Sequence, residues 1–174
     1  MEKQSYQLKK EMQNKALVII DIQNDITKNY KEIIDNINSA VDWAFENDVH
    51  VVYIRHEYLS EKIKKFKPNT YGSELAPDLK MVSNNIFTKT QGSALGSEAF
   101  VNFVESNQVK EFFLVGADAI ACVKTTNNGM LKSGYKVNVL SDCITSYDKR
   151  KVDEMLNYYK KKGSEIITLN ELPH

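Results

Sequence analysis

Residues 111–133 read EFFLVGADAIACVKTTNNGMLKS, and this stretch decides the fold. Glu111–Gly116 (EFFLVG) is a short run of aromatic and aliphatic residues, the pattern of a strand buried on both faces. The small residues Ala117, Ala119 and Ala121 follow, interleaved with Asp118 and Ile120, and form a tight turn. Cys122–Ser133 then reads as a helix that stops before Gly134. A strand, a tight turn and a helix make one unit of an α/β protein.

The same grammar extends in both directions. Ala16–Asp21 (ALVIID), Val49–Arg55 (VHVVYIR), Ile86–Lys89, Lys136–Ser141 (KVNVLS) and Glu165–Leu169 (EIITL) are further strands. Helical patterns lie between them: Lys31–Asn47, with Ile33, Ile34, Ile37, Val41 and Phe45 near a 3.6-residue period; Ser97–Asn107; and Asp148–Lys162, ending before Gly163. Alternating strand and helix predicts a three-layer α/β/α fold around a mainly parallel six-stranded sheet. The 174 residues suit one domain, with residues 1–14 as an N-terminal extension. Glu57–Asn85 holds Pro68, Gly72 and Pro77 and no convincing strand; a loop this long is either functional or a plain surface excursion.

Composition removes several classes of function. Lys plus Arg and Asp plus Glu each number 23, so nothing marks a nucleic-acid or anionic-membrane surface. Lys160, Lys161 and Lys162 fall at a helix end, where they complement the helix dipole. No stretch reaches the length of an apolar membrane span. The polar N-terminus lacks the apolar centre of a secretory signal. Cys122 and Cys143 cannot form a multi-bridge framework and read as free thiols, which places the chain in the cytoplasm. Gly92 and Gly96 lack the spacing of a phosphate loop.

In open α/β sheets, sites form beyond the carboxyl ends of the strands. Those ends are Asp21, then Arg55 and His56, then Lys89, then the turn into Cys122. If these strands are neighbours, an acid, a base and a thiol converge. Cys122 opens a helix, whose unpaired N–H groups and partial positive charge favour a thiolate. A nearby Lys89 ammonium adds to that effect, Asp21 can accept the thiol proton, and the N–H groups can hold an oxyanion. Each residue also has an ordinary structural role open to it: a buried cysteine as a small hydrophobe, a capping aspartate, an edge lysine.

The segments ALVIIDIQND, IFTKTQGSAL and LVGADAIACVKTTNNGMLKSGYKVNVLSDCITSY, in that order, resemble the isochorismatase-like cysteine hydrolases, from about residue 15 to about residue 170. The resemblance implies a catalytic triad of Asp21, Lys89 and Cys122 and a non-proline cis peptide at Ala117–Asp118. It also implies an oxyanion hole from the backbone N–H groups of Asp118 and Cys122, and a supporting role for Gln23. It further implies cleavage of an amide-type C–N bond in a small molecule through a thioester, without a cofactor, in a homo-oligomer of two or more copies. Relatives that bind a metal carry a D-x-H motif; this chain has Arg55-His56-Glu57 instead, so no metal is expected. Ala119 stands where many relatives have threonine. Candidate substrate contacts are His56, Tyr58, Tyr71, Phe100 and Ile120. The alternatives are an isochorismatase-type vinyl-ether hydrolase, a non-catalytic small-molecule-binding member of the fold, and a redox sensor pairing Cys122 with Cys143, whose Cα atoms would then lie within about 7 Å.

Overall fold

The computed structural model describes residues 1–174. Its six strands are β1 (Lys15–Ile20), β2 (His50–His56), β3 (Ile86–Lys89), β4 (Glu111–Gly116), β5 (Lys136–Ile144) and β6 (Glu165–Ile167). They form one sheet in the order β3-β2-β1-β4-β5-β6, with every neighbouring pair parallel. The helices are α1 (Glu2–Met12), α2 (Asn24–Tyr30), α3 (Ile34–Glu46), α4 (Glu98–Ser106), α5 (Cys122–Lys132) and α6 (Val152–Lys162).

Side chains alternate across a strand, and here they feed two cores. Leu17, Ile19, Val51, Tyr53, Phe113 and Val115 pack with α3 on one face. Ala16, Val18, Ile20, Val52, Phe112 and Leu114 pack with α4, α5 and α6 on the other. Both faces are covered, which is why the strands read as unbroken apolar runs.

Two helices add to the expected elements, and one expectation is revised. Residues 1–14 contain a helix, α1, none of whose residues is buried; with no apolar stripe it leaves no periodic signal. The short helix α2 buries only Ile26 and Tyr30, too few to show a period. In α3, Phe45 is 64% exposed while Ile37, Ala44 and Trp43 turn inward. Phe45 lies eight residues past Ile37, about 80° round the helix, beyond the buried arc.

The loop 57–85 docks on α2. Ala76 N–H donates to Ile22 O, Asn24 N–H to Glu74 O, and Phe66 N–H to Asp25 Oδ2 at 2.6 Å. Gly163 ends α6 in the left-handed region, and Lys160, Lys161 and Lys162 occupy its last turn.

Gly116 matters most for the site. Its φ is +116°, and a Cβ there would lie 2.2 Å from the carbonyl oxygen of Ile20. Only a residue without a side chain lets the end of β4 press against the end of β1. Gly116→Ala is expected to cost about 3 kcal/mol or more of stability, read as a lower urea midpoint. A loss below about 1 kcal/mol would show that the two strand ends can part freely.

Candidate active site

The strand order reverses between β1 and β4. β1 leads to β2 and β3 on one side, and β4 starts the other side. Such a switch point opens a crevice at the carboxyl ends of the strands. β1 delivers Asp21, whose backbone turns off the sheet at φ +56°, a conformation aspartate tolerates better than most residues. β2 and β3 deliver His56 and Lys89, which are direct partners in the parallel register. β4 runs through Gly116 into the turn that opens α5 at Cys122.

The four side chains meet. Lys89 Nζ lies 3.1 Å from Asp21 Oδ2, 2.9 Å from His56 Nδ1 and 3.4 Å from Cys122 Sγ. Its side chain is fully buried and that of Asp21 nearly so. A buried ammonium is tolerated only when its charge and its three protons are matched, and this one has an acceptor for each. Asp21 Oδ1 is buried without a partner. Cys122, 9% exposed, is where the cluster reaches the surface.

The turn before Cys122 is held from several sides. Ala119 N–H donates to Thr145 O, and the buried Tyr159 hydroxyl donates to Ala119 O. The Asp118 carboxylate accepts from Ile120 N–H, Tyr147 N–H and the Tyr30 hydroxyl. The Ala117–Asp118 peptide is cis. Ala117, Ala119, Ile120, Ala121 and Val123 all use their backbone N–H groups in hydrogen bonds, whereas those of Asp118 and Cys122 make none. The two free donors belong to residues lining a cleft of about 370 Å³ above the cluster.

Electrostatics correct one expectation. Burial and the neighbouring Asp21 carboxylate outweigh the Lys89 ammonium and push the Cys122 thiol up to about 12. Cys122 therefore rests as a thiol, rather than the thiolate expected from a helix N-terminus and a lysine. With Asp21 and Lys89 paired, deprotonating Cys122 would place an unmatched negative charge in the core. The Cys122 rate with iodoacetamide is expected to be low at neutral pH and to rise about tenfold per pH unit from about pH 8 to about pH 10. A plateau already reached by about pH 7 would mean a preformed thiolate.

Cys143 is also held protonated, by burial and by Asp142. It is fully buried on the α3 face, whereas Cys122 packs with the opposite core. The sheet separates the two thiols, which removes the redox-pair reading.

Other expected residues divide. Tyr58 and Ile120 line the cleft. Gln23 supports the cluster by clamping the backbone of His56: its Nε2 donates to His56 O and its Oε1 accepts from His56 N–H. His56 does not line the cleft but reaches Cys122 Sγ at 3.5 Å. Phe100 is fully buried in the core that packs α4, because the inward face of α4 needs an apolar residue there. Tyr71 is 69% exposed and lies outside the cleft, because its short turn holds α2 through a backbone carbonyl that accepts from Asn24 Nδ2. The cleft also takes Asp25, Tyr30, Lys65, Phe66 and Tyr147, which sequence reasoning passed over. Tyr30 and Phe66 sit in the weakly periodic α2 and the long loop, where no local pattern marks them.

Asp21, His56 and Cys122 bring one ligand atom each within 4.8 Å of one another, a donor set chemically suited to a soft cation. The Lys89 ammonium lies among those same atoms and fills the position such an ion would take.

Fold and site define a three-layer α/β protein of the hydrolase class. The isochorismatase domain model matches residues 15–171, and the chain belongs to the isochorismatase family. A probable inactive nicotinamidase of Arabidopsis thaliana is 25% identical, over 91% of this chain and 94% of its own length. Isochorismatase family protein 2A of Dictyostelium discoideum is 28% identical, over 85% of this chain and 74% of its own. Among solved structures, an N-carbamoylsarcosine amidase from Thermoplasma acidophilum superposes with a TM-score of 0.81 at 17% identity, covering 92% of this chain and 99% of that one. At that identity the likeness is one of fold. No helix is long and apolar enough to cross a membrane.

Proposed function

We propose that this protein is a cysteine amidohydrolase acting on a small amide, with Cys122 as nucleophile. The observation that carries this reading is the single cluster in which the Lys89 ammonium touches both the Asp21 carboxylate and the Cys122 sulfur, at the foot of a cleft.

Asp21 takes the thiol proton as Cys122 Sγ attacks the carbonyl carbon. The carbonyl oxygen gains the negative charge, and the free N–H groups of Asp118 and Cys122 receive it. Lys89 offsets the charge on sulfur while Asp21 is neutralised. The tetrahedral intermediate collapses, Asp21 returns its proton to the nitrogen, and ammonia or an amine leaves. A thioester remains. Water attacks it with Asp21 again as base, releasing the acid and restoring the thiol. The original thiol proton leaves on the nitrogen and a proton from water restores the thiol, so one water is consumed per amide, Asp21 ends as it began, and no redox step occurs. Ile26, Tyr30, Tyr58, Phe66 and Ile120 line the cleft and favour a substrate with a flat or apolar body beside its amide.

The test is ammonia release from a library of small amides, with Cys122→Ala as control. Release by the wild type and its loss in the variant supports the reading. A ligand bound stoichiometrically with no product on long incubation would favour the non-catalytic reading instead, as the name of the Arabidopsis relative also suggests.

A further inference from the structure

We propose that His56 is a positioning residue for the nucleophile: its Nδ1 is the third acceptor of the buried Lys89 ammonium and keeps that cation against Cys122 Sγ. The inference rests on the hydrolase reading of the cluster, which assigns roles to Asp21, Lys89 and Cys122 and none to this histidine.

The Lys89–His56 contact, 2.9 Å, is the shortest of the three that the ammonium makes. An ammonium only donates, so Nδ1 must be the accepting nitrogen and the ring proton lies on Nε2. Nε2 is buried and has no partner. A side chain kept only to fill space would be a hydrocarbon, which leaves no donor unpaired. The feature that sets histidine apart here is therefore Nδ1 and what it holds.

The same contact limits the role. Nδ1 lies 3.5 Å from Cys122 Sγ, close enough to suggest a base. Its one lone pair already accepts from Lys89, so it cannot also take the thiol proton. Asp21, with a free buried Oδ1, can. His56 acts through Lys89 and does not touch the substrate cleft.

The ring is fixed for this task. The register pairs its backbone with Lys89. Gln23 holds the His56 N–H at 2.8 Å and its carbonyl at 2.9 Å, and anchors itself to Ser73 O at 2.8 Å. One ring face lies on Tyr58, with centroids 4.1 Å apart, and Phe66 stands further along. Two neighbouring strands and the long loop thus converge on the placement of one nitrogen.

The test needs no substrate. Iodoacetamide labelling of Cys122 is followed by peptide mapping from about pH 7 to about pH 10 in the wild type, His56→Leu, His56→Asn and His56→Gln. Leucine fills the space without an acceptor. The amide oxygen of asparagine can stand at the Nδ1 position, and that of glutamine lies one bond further out. His56→Leu and His56→Gln are expected to label about tenfold more slowly, their pH profiles displaced upward by about one unit. His56→Asn is expected to stay within about threefold of the wild type. Asparagine as slow as leucine would reduce His56 to packing, and wild-type rates in all three variants would remove the role entirely; either result overturns the proposal. If His56→Leu does not unfold cooperatively, the contrast between asparagine and glutamine decides. Amide turnover is read separately, so a failed library screen with the labelling order intact sinks the hydrolase reading and spares this one.

Discussion

Alanine at position 122 is expected to lower ammonia release by on the order of 10⁴-fold or more. The size of the loss follows from what else stands in the cleft. The Asp118 carboxylate is committed to three hydrogen bonds. Burial, followed by Asp118, holds the Tyr30 phenol protonated, and burial raises that of Tyr58. None of these three is poised to attack a carbonyl, and Cys122 is the cleft-lining nucleophile that the Lys89–Asp21 pair touches. What survives is water activated by Asp21, together with the two free N–H donors. Binding should change by less than about tenfold, because Cys122 is 9% exposed and offers little surface to a ligand. Steady-state ammonia release and equilibrium binding of the same amide separate the two effects. A variant that keeps a tenth of the wild-type rate would exclude Cys122 as nucleophile.

Lys89→Met is expected to be the most destabilising change at the site, by about 3–5 kcal/mol. Methionine resembles the lysine stem in volume, so packing is nearly conserved. The charge is not. Asp21, 2% exposed, would lose the ammonium at 3.1 Å and keep a carboxylate in the core without a counter-ion. His56 Nδ1 and Cys122 Sγ would lose their donor at the same time. Adding Asp21→Asn removes the stranded charge and should recover about 2 kcal/mol or more of that loss. Asparagine also tolerates the left-handed backbone at this position, so the second change adds little strain. Urea unfolding of the four proteins closes the cycle. Single costs that simply add, within about 0.5 kcal/mol, would show that the pair is not coupled.

The strands were legible because a parallel sheet covered on both faces imposes a local rule: runs such as Leu17–Ile20 and Phe112–Val115 must be apolar throughout. The stops at Gly134 and Gly163 were legible because each is a single-residue backbone requirement, with φ of +87° and +115°. Helices α1 and α2 were not. One has no buried face and the other is seven residues long, and neither ends on a glycine, so both periodicity, the primary local signal of a helix, and the glycine stop are missing. Phe100 was misplaced for a related reason: an aromatic residue looks the same in sequence whether it enters a core or a cleft.

At the site, the acid, the lysine and the thiol could be read from strand ends and from resemblance, since each depends on a residue type at an element boundary. Their relation to one another could not. The reversal between β1 and β4, the register that pairs His56 with Lys89, and the loop that brings Tyr58 and Phe66 over the ring are long-range facts. The protonation of Cys122 shows the difference most sharply. Residue type and helix position argued for a thiolate. Burial and the charge on Asp21, 101 positions away in the chain, outweigh Lys89. A chain sequence specifies which groups carry charge. How strongly those charges act on a proton depends on their distances and on the exclusion of water, and both exist only once the strands have packed.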